Sequence, residues 1–409
     1  MKNSGAVNKL VSAPCPLCCS TKTEDIWCHE TGVTNGICTR CGHVYLTRRY
    51  PEEIIVESYK GYGQRYPDAF LQDEANPLFQ IAAKRIDFLR HSIALSSIGS
   101  ILEIGCGYGH FLRLMRDVPL KLGIEPSHEQ ASFARSYFGL EHIMEGTFDK
   151  CLSESGSRFA PEFDVACAFH VLEHIVNPVD FIEQIRGQLR PDGYLFLAVP
   201  DLFTLSPDLI ELYFICQNWH VHSFSANTVT QLLEMNGFKV LAIKEEEPTA
   251  MLRSSFLVAA QRSGSLKPLA YPARSIIENR LAVERFHEEL NRLLRNIRAA
   301  FSEWGSQGKR SAIYGGGIHT QALLELTGIE PGCIKLIIDD DPAKSGSTLS
   351  EISVMPFSEA LMQGLDVIVV SSLASEHIIL ERLSSGELPD RIQLKGIYRD
   401  FMGRDGIKL

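Results

Sequence analysis

Two hydrophobic rhythms alternate along the chain. Short apolar runs at Ile101–Ile104, Leu120–Ile124 and Phe163–Phe169 have the length and side-chain type of buried strands, and Leu189–Pro200 predicts a helix end, a Pro191-Asp-Gly193 turn and a fifth strand. Helical periodicity lies between and around them: Pro77–His91 precedes the first strand, and Val229, Leu232, Leu233 and Met235 share one face after Ser225. Ser225 or Asn227 caps that second helix and Gly237 ends it. Gly264, Pro268 and Pro272 mark a linker over Ser263–Arg274, after which Ile276–Trp304 predicts one long amphipathic helix. Strands then recur at Ser311–Tyr314, Ile334–Ile338 and Asp366–Val370. Alternation of strand and helix predicts an α/β protein with parallel sheets in two successive units, 77–262 and 276–409, behind a separate N-terminal module over 12–76.

The turn after the first strand carries the first chemical signal. Ile101-Leu-Glu-Ile-Gly-Cys-Gly-Tyr-Gly109 runs from strand into three alternating glycines, and a helix is expected over His110–Arg116. Gly105, Gly107 and Gly109 let the backbone turn tightly and approach a ligand, while the helix N-terminus presents free N–H groups. The spacing is not the G-x-G-x-x-G of a pyrophosphate binder. Glu103, just before the turn, suits a cationic ligand. Glu125 follows twenty-two residues later, at the end of the second strand, where an acid is placed to accept ribose hydroxyls.

This pattern, E-x-G-x-G-x-G followed by Glu125, resembles motif I and the second acidic position of class I S-adenosylmethionine (SAM) methyltransferases. The resemblance covers residues 80–262 and implies a Rossmann-like core with SAM as cofactor. It implies cofactor contacts from Glu103, Gly105, Gly107, Gly109, Glu125 and Pro126. Gly146, Thr147 and Phe148 would follow at the adenine after a third strand, and His170 after the fourth.

Four of the eleven cysteines are paired as Cys15-Pro-Leu-Cys18 and Cys38-Thr-Arg-Cys41, nineteen residues apart. Two C-x₂-C knuckles at this separation predict a zinc ribbon whose four thiolates complete a tetrahedral, structural Zn²⁺ site. Cys19, Cys28, His29 and His43 lie near enough to compete as ligands. Cys106, Cys151, Cys167, Cys216 and Cys333 stand in apolar contexts and are expected in cores. Tyr59, Tyr62 and Tyr66 lie in the connection that follows the ribbon; they either cap a substrate cleft or seal the module to its neighbour.

A net charge of −10 argues against a nucleic-acid partner. Residues 1–13 lack the apolar core of a signal peptide, and no apolar run approaches the ~20 residues of a membrane span. A soluble, cytoplasmic protein acting on a small molecule is expected.

Two histidine pairs fall at the carboxyl ends of strands, where ligands of open parallel sheets bind. His170 and His174 lie in His-Val-Leu-Glu-His after the fourth strand; His220 and His222 follow the fifth, in Gln217-Asn-Trp-His-Val-His-Ser-Phe-Ser225. All four are candidate catalytic bases, because imidazole titrates near neutrality. In the C-terminal unit, Gly315, Gly317 and Asp339 make a partial dinucleotide fingerprint, with Thr320 at its third position. His319 and Lys344 are candidate contacts there for a phosphorylated part of the substrate.

A four-cysteine module, a SAM domain and a small α/β domain, in that order, resemble the sugar C-methyltransferases, and Asp339-Asp-Asp-Pro-Ala-Lys-Ser-Gly346 is similar to that family's D-x-x-P-x-K-x-G segment. The resemblance implies carbon methylation of a nucleotide-linked 4-keto deoxysugar through an enolate formed by a histidine. The family's active-site Tyr-x-Glu-His-x-Ser-Tyr-Phe-Ser aligns with His220, but Trp219 replaces the Glu and Gln217 the Tyr. O- or N-methylation of another small metabolite, or a non-catalytic SAM-binding scaffold, are the alternatives.

Overall fold

A computed structural model describes residues 10–59, 68–93, 98–155, 163–205, 208–216, 219–247, 249, 254–268, 273–373 and 375–402. Two compact units divide them: Met1–Leu205 with Ile215–Glu284, and Ser206–Phe214 with Arg285–Leu409.

The first unit begins with an antiparallel sheet of β1 (Val11–Ser12), β2 (Thr23–Cys28), β3 (Thr34–Cys38) and β4 (Val44–Arg49), in the order β1-β4-β3-β2. Its main sheet comprises β5 (Ser100–Ile104), β6 (Leu120–Glu125), β7 (Ile143–Glu145), β8 (Phe163–Phe169) and β9 (Leu189–Pro200), with β11 (Phe238–Glu246) and β12 (Ser255–Arg262). The order is β11-β12-β9-β8-β5-β6-β7, parallel from β9 to β7, with β12 running antiparallel between β9 and the edge strand β11. This is the expected class I Rossmann-like core. A two-residue strand, β10 (His222–Ser223), leaves the main sheet and pairs with β4.

Alternation along the strands builds two apolar layers. Leu102, Ile104, Ala166 and Ala168 face the helices Pro178–Gln188 and Ala226–Met235; Ile101, Val165 and Cys167 face Pro77–Ser92 and His128–Phe138. Asn76 caps the helix Pro77–Ser92 by accepting from Phe79 N at 3.1 Å. Ser225 and Thr228 form a capping box, so Ser225 rather than Asn227 is the cap of Ala226–Met235.

Two local expectations are corrected. The helix after the glycine turn stops at Leu114, not Arg116. The Pro-Asp-Gly turn before the fifth strand is absorbed into β9, where Asp192 takes a left-handed φ of 63° beside a shift in register against β8.

In the second unit β13 (Ser311–Tyr314), β14 (Leu336–Ile338), β16 (Ile352–Met355), β17 (Val367–Val370) and β18 (Gln393–Gly396) are parallel, with β15 (Thr348–Leu349) antiparallel at the edge. An unanticipated helix, Leu209–Cys216, contributes its residues up to Phe214 to this unit. No helix among the described residues is long and apolar enough to cross a membrane.

Candidate functional site

Three loops at the carboxyl ends of β5, β6 and β7 are tied together through Glu125. Its carboxylate accepts from Gly107 N and Ser127 N, both at 2.8 Å, and its backbone carbonyl accepts from Gly146 N at 3.0 Å. Gly105 N and Cys106 N donate to Ile124 O, which pins the glycine turn to β6. Each Glu125 oxygen keeps a further lone pair for a ligand hydroxyl. Gly105 has φ +71°, and a Cβ there would stand 2.6 Å from Val171 Cγ2. Gly105→Ala is therefore expected to weaken SAM binding by about tenfold or more in titration calorimetry, from 1–3 kcal/mol of strain.

Glu103 is 4% exposed and its Oε2 is buried without a hydrogen-bond partner. Burial pushes its carboxyl well above the ordinary value, helped by Glu125 and opposed by Arg85. A buried carboxyl with an unmet acceptor beside a glycine cradle fits a cationic ligand, as SAM is. Pro126 is half-buried between Glu125 and Ser127, the cap of the helix His128–Phe138. Gly146 and Thr147 open the segment after β7, with Gly146 at φ 145°. Phe148, expected at the adenine, is instead committed to the core, edge-on to Phe181 at 5.8 Å.

Beyond β8 lies a cluster of opposite charges. His170 stands at a left-handed φ of 55°, unusual for a non-glycine residue. Its Nδ1 is 3.3 Å from Glu173 Oε1 and its Nε2 3.7 Å from Glu246 Oε2. Glu246 also takes a two-pronged contact from Arg85, at 2.9 and 3.2 Å, and a hydrogen bond from Ser255 Oγ at 2.8 Å. Burial would raise both Glu173 and Glu246, but the contacts from His170 to each, with Arg85 beside Glu246, outweigh it and hold each at about 2. Burial opposes His170's proton, and the two glutamates overcome it, so its pKa rises.

The same turn brings His174 and His220, one from each of the two sequence pairs, together. Their ring centroids are 5.0 Å apart, and with Glu173 their ligating atoms lie within 4.8 Å of one another. His174 Nδ1 donates to Trp219 O at 2.5 Å, which leaves its Nε2 lone pair facing Glu173, 3.9 Å from Oε1. Trp219 thus serves through its backbone; Gln217 lies outside the described residues, as do Tyr62 and Tyr66.

His222 departs from the expectation of a base. Its Nε2 donates to Ile175 O at 2.8 Å and its Nδ1 lies 3.0 Å from His43 Nε2, so both nitrogens are engaged within the fold. Burial lowers its pKa to about 3.

Burial likewise holds His110 and His174 at about 4 and His287 at about 3. Unfolding would return these four rings to about 6.5, so between the folded and unfolded values the unfolded chain binds more protons. Their stabilising contribution is complete above the unfolded value and is lost as pH falls. Tm is accordingly expected to drop by several degrees between about pH 7 and pH 5, measured by calorimetry.

At the N-terminus the four cysteines converge. Cys15 Sγ–Cys41 Sγ and Cys18 Sγ–Cys38 Sγ are each 3.5 Å apart, far beyond the ~2.05 Å of a disulfide. All four sulfurs lie within 4.8 Å of one another, near the ~3.8 Å edge of a tetrahedron with ~2.3 Å metal–sulfur bonds. Cys19 and Cys28 are exposed and stand apart from this group, and His43 is directed to His222.

In the second unit, Gly316 N and Lys344 Nζ both bond Asp339 Oδ2, at 2.7 and 2.9 Å. His319 is held by Ser371 Oγ at 2.8 Å and Tyr398 OH at 2.6 Å. These groups hydrogen-bond one another within the second unit.

Sequence reasoning missed Arg85 and Glu246, whose pairing joins positions 161 residues apart. Glu173 was legible, since it lies within His-Val-Leu-Glu-His.

Residues 69–243 match the model of a methyltransferase domain, and residues 270–385 that of a C-methyltransferase C-terminal domain. A probable S-adenosylmethionine-dependent methyltransferase of Mycolicibacterium smegmatis is 25% identical over 167 residues, covering 39% of this chain and 62% of that protein. A ubiquinone biosynthesis O-methyltransferase of Histophilus somni is 24% identical over 127 residues, covering 30% and 53%. The chain thus spans between 53% and 62% of the length of these curated relatives. Magnesium protoporphyrin IX methyltransferase of Synechocystis PCC 6803, solved with bound SAH, aligns at 16% identity over 51% of this chain and 93% of that one, with TM-score 0.37. The class I sheet and the Glu103–Gly109 turn thus lie in a chain that carries a methyltransferase domain followed by a C-methyltransferase C-terminal domain.

Proposed function

We propose that the enzyme methylates a carbon next to the carbonyl of a nucleotide-linked keto-deoxysugar, with His220 as the base. The observation that carries this reading is the C-methyltransferase C-terminal domain match over residues 270–385, in a chain that also has a buried histidine–carboxylate cluster beyond β8. Glu103, the glycine turn and Glu125 are the residues that would hold SAM, which supplies an electrophilic methyl on a sulfonium. The chain's remaining task is to make a carbon nucleophile. His220 takes the proton α to the carbonyl, and the charge left on the substrate is an enolate. His174, fixed through Nδ1 by Trp219 O, and His170 stand beside Glu173 to balance the charge as the proton moves. The four cysteines hold a structural Zn²⁺, their donor set being complete without water.

O-methylation of a small metabolite is the second reading, favoured by curated relatives that are O-methyltransferases. Proton exchange separates the two. In deuterated buffer, the enzyme with a nucleotide 4-ketosugar and S-adenosylhomocysteine in place of SAM is expected to wash deuterium into the α position. Absence of exchange, together with methyl transfer to oxygen, would support the second reading instead.

A further inference from the structure

We propose that His43, which leaves the four-cysteine module immediately after its second knuckle, is a positioning residue for the acceptor site. Through it the metal module holds the segment that carries His220. The inference rests on the reading of His220 as an acceptor-site residue.

The physical path is short and continuous. The second knuckle is closed on both sides, by Gly42 N donating to Cys38 O and Cys38 N donating to His43 O, each at 2.9 Å. Asn279 Nδ2 also donates to Gly42 O at 2.8 Å. The backbone of His43 is therefore fixed by the same loop that presents Cys38 and Cys41. From there β4 departs, and its free edge takes up β10, pairing Tyr45 with His222 and Val44 with Ser223. Leu46 N donates to Val221 O at 3.0 Å, and Val221 N in turn donates to Glu173 O at 2.9 Å. His220 is joined to this strand through Val221. A sheet edge of the cysteine module thus supports the residues on one side of the His220 backbone, and the Glu173 turn supports them on the other.

The side chains follow the same route, and hydrogen-bond logic fixes their tautomers. Ile175 O can only accept, so His222 Nε2 carries the proton and Nδ1 is an acceptor. His43 Nε2 must then be the donor across the 3.0 Å contact. The His43 ring is completely buried, stacked on Tyr45 at 5.8 Å and tilted against Phe224 at 5.0 Å. A buried ring held on both faces, donating one bond to the neighbour of the acceptor-site strand, is how an outer residue sets the aim of an inner one. Sequence spacing alone suggested His43 as a competing metal ligand; the geometry points it toward the acceptor site.

The test compares His43→Leu, which keeps volume and removes the donor, with His43→Gln, whose amide can restore it. His222→Leu breaks the same bond from its other end and serves if His43→Leu does not fold. Three readouts are taken on the full chain: bound zinc, SAM affinity by calorimetry, and the ring signal of His220 in ¹³C-histidine NMR, assigned with His220→Gln. Zinc and SAM affinity are expected to stay within about twofold of the parent. The His220 signal should shift, and kcat should fall by roughly tenfold to a hundredfold, as for an ångström-scale misplacement, with His43→Gln recovering most of both. Removing zinc with a chelator should move the His220 signal in the same way. An unmoved His220 signal in zinc-loaded His43→Leu and His222→Leu would overturn the proposal. The base assignment fails on a different result: His220→Gln that still transfers methyl, whatever His43 does.

Discussion

His220→Gln is expected to lower kcat for methyl transfer by roughly 10²–10⁴-fold while SAM affinity stays within about twofold, because general-base assistance is lost and the cofactor loops are untouched. The cofactor side is built from the turns after β5, β6 and β7, locked to Glu125. His220 belongs to a separate cluster with Glu173 and His174. His222→Gln provides the contrast. Its two nitrogens are spent on Ile175 O and His43, and Gln can replace one or both bonds. It should cost stability and some kcat through misalignment, yet far less than His220→Gln. Equal losses at both positions would mean that neither acts as the base.

The second large effect concerns the metal. Cys38→Ser or Cys41→Ser is expected to abolish zinc binding and to lower Tm by on the order of 10 °C, since structural zinc supplies folding free energy directly. Cys15, Cys38 and Cys41 are at most 1% exposed, and with Cys18 they form the centre of a small apolar cluster with Leu17 and Tyr45. Few other side chains are available there to replace what a metal contributes. Cys19→Ser and Cys28→Ser are the controls: both thiols are exposed and outside the group, so zinc content and Tm should match the parent. Purified protein with four reactive native thiols and no metal would refute the assignment.

Much of the core was readable because its signals are local. Ile101–Ile104 and Phe163–Phe169 are too short for helices and are buried on both faces, as strands of a covered parallel sheet must be. The glycine turn and Glu125 announce themselves by spacing along one stretch of chain. What escaped was non-local or lacked periodicity. Leu209–Cys216 is apolar nearly all round, so no helical face stood out. The Pro191-Asp-Gly193 signal predicted a turn and is satisfied by one positive φ inside a strand, because β8 and β12 continue the ladder around it. Phe148 followed the family pattern in position but not in direction, since Phe181 and the apolar layer claim its ring. Arg85, Glu246 and His43 carry no motif; their partners are 161 and 179 residues away. The histidine–glutamate cluster therefore emerges from the fold, whereas the glycine turn and Glu125 were visible beforehand.

The central claim is that this site moves a methyl group onto carbon. The most direct measurement is carbon NMR of the product formed from ¹³C-methyl SAM and a nucleotide-linked 4-keto deoxysugar. The account predicts a labelled methyl carbon coupled to a single ring carbon. A labelled methyl resonating as a methoxy or N-methyl group, with no carbon–carbon coupling, would contradict it.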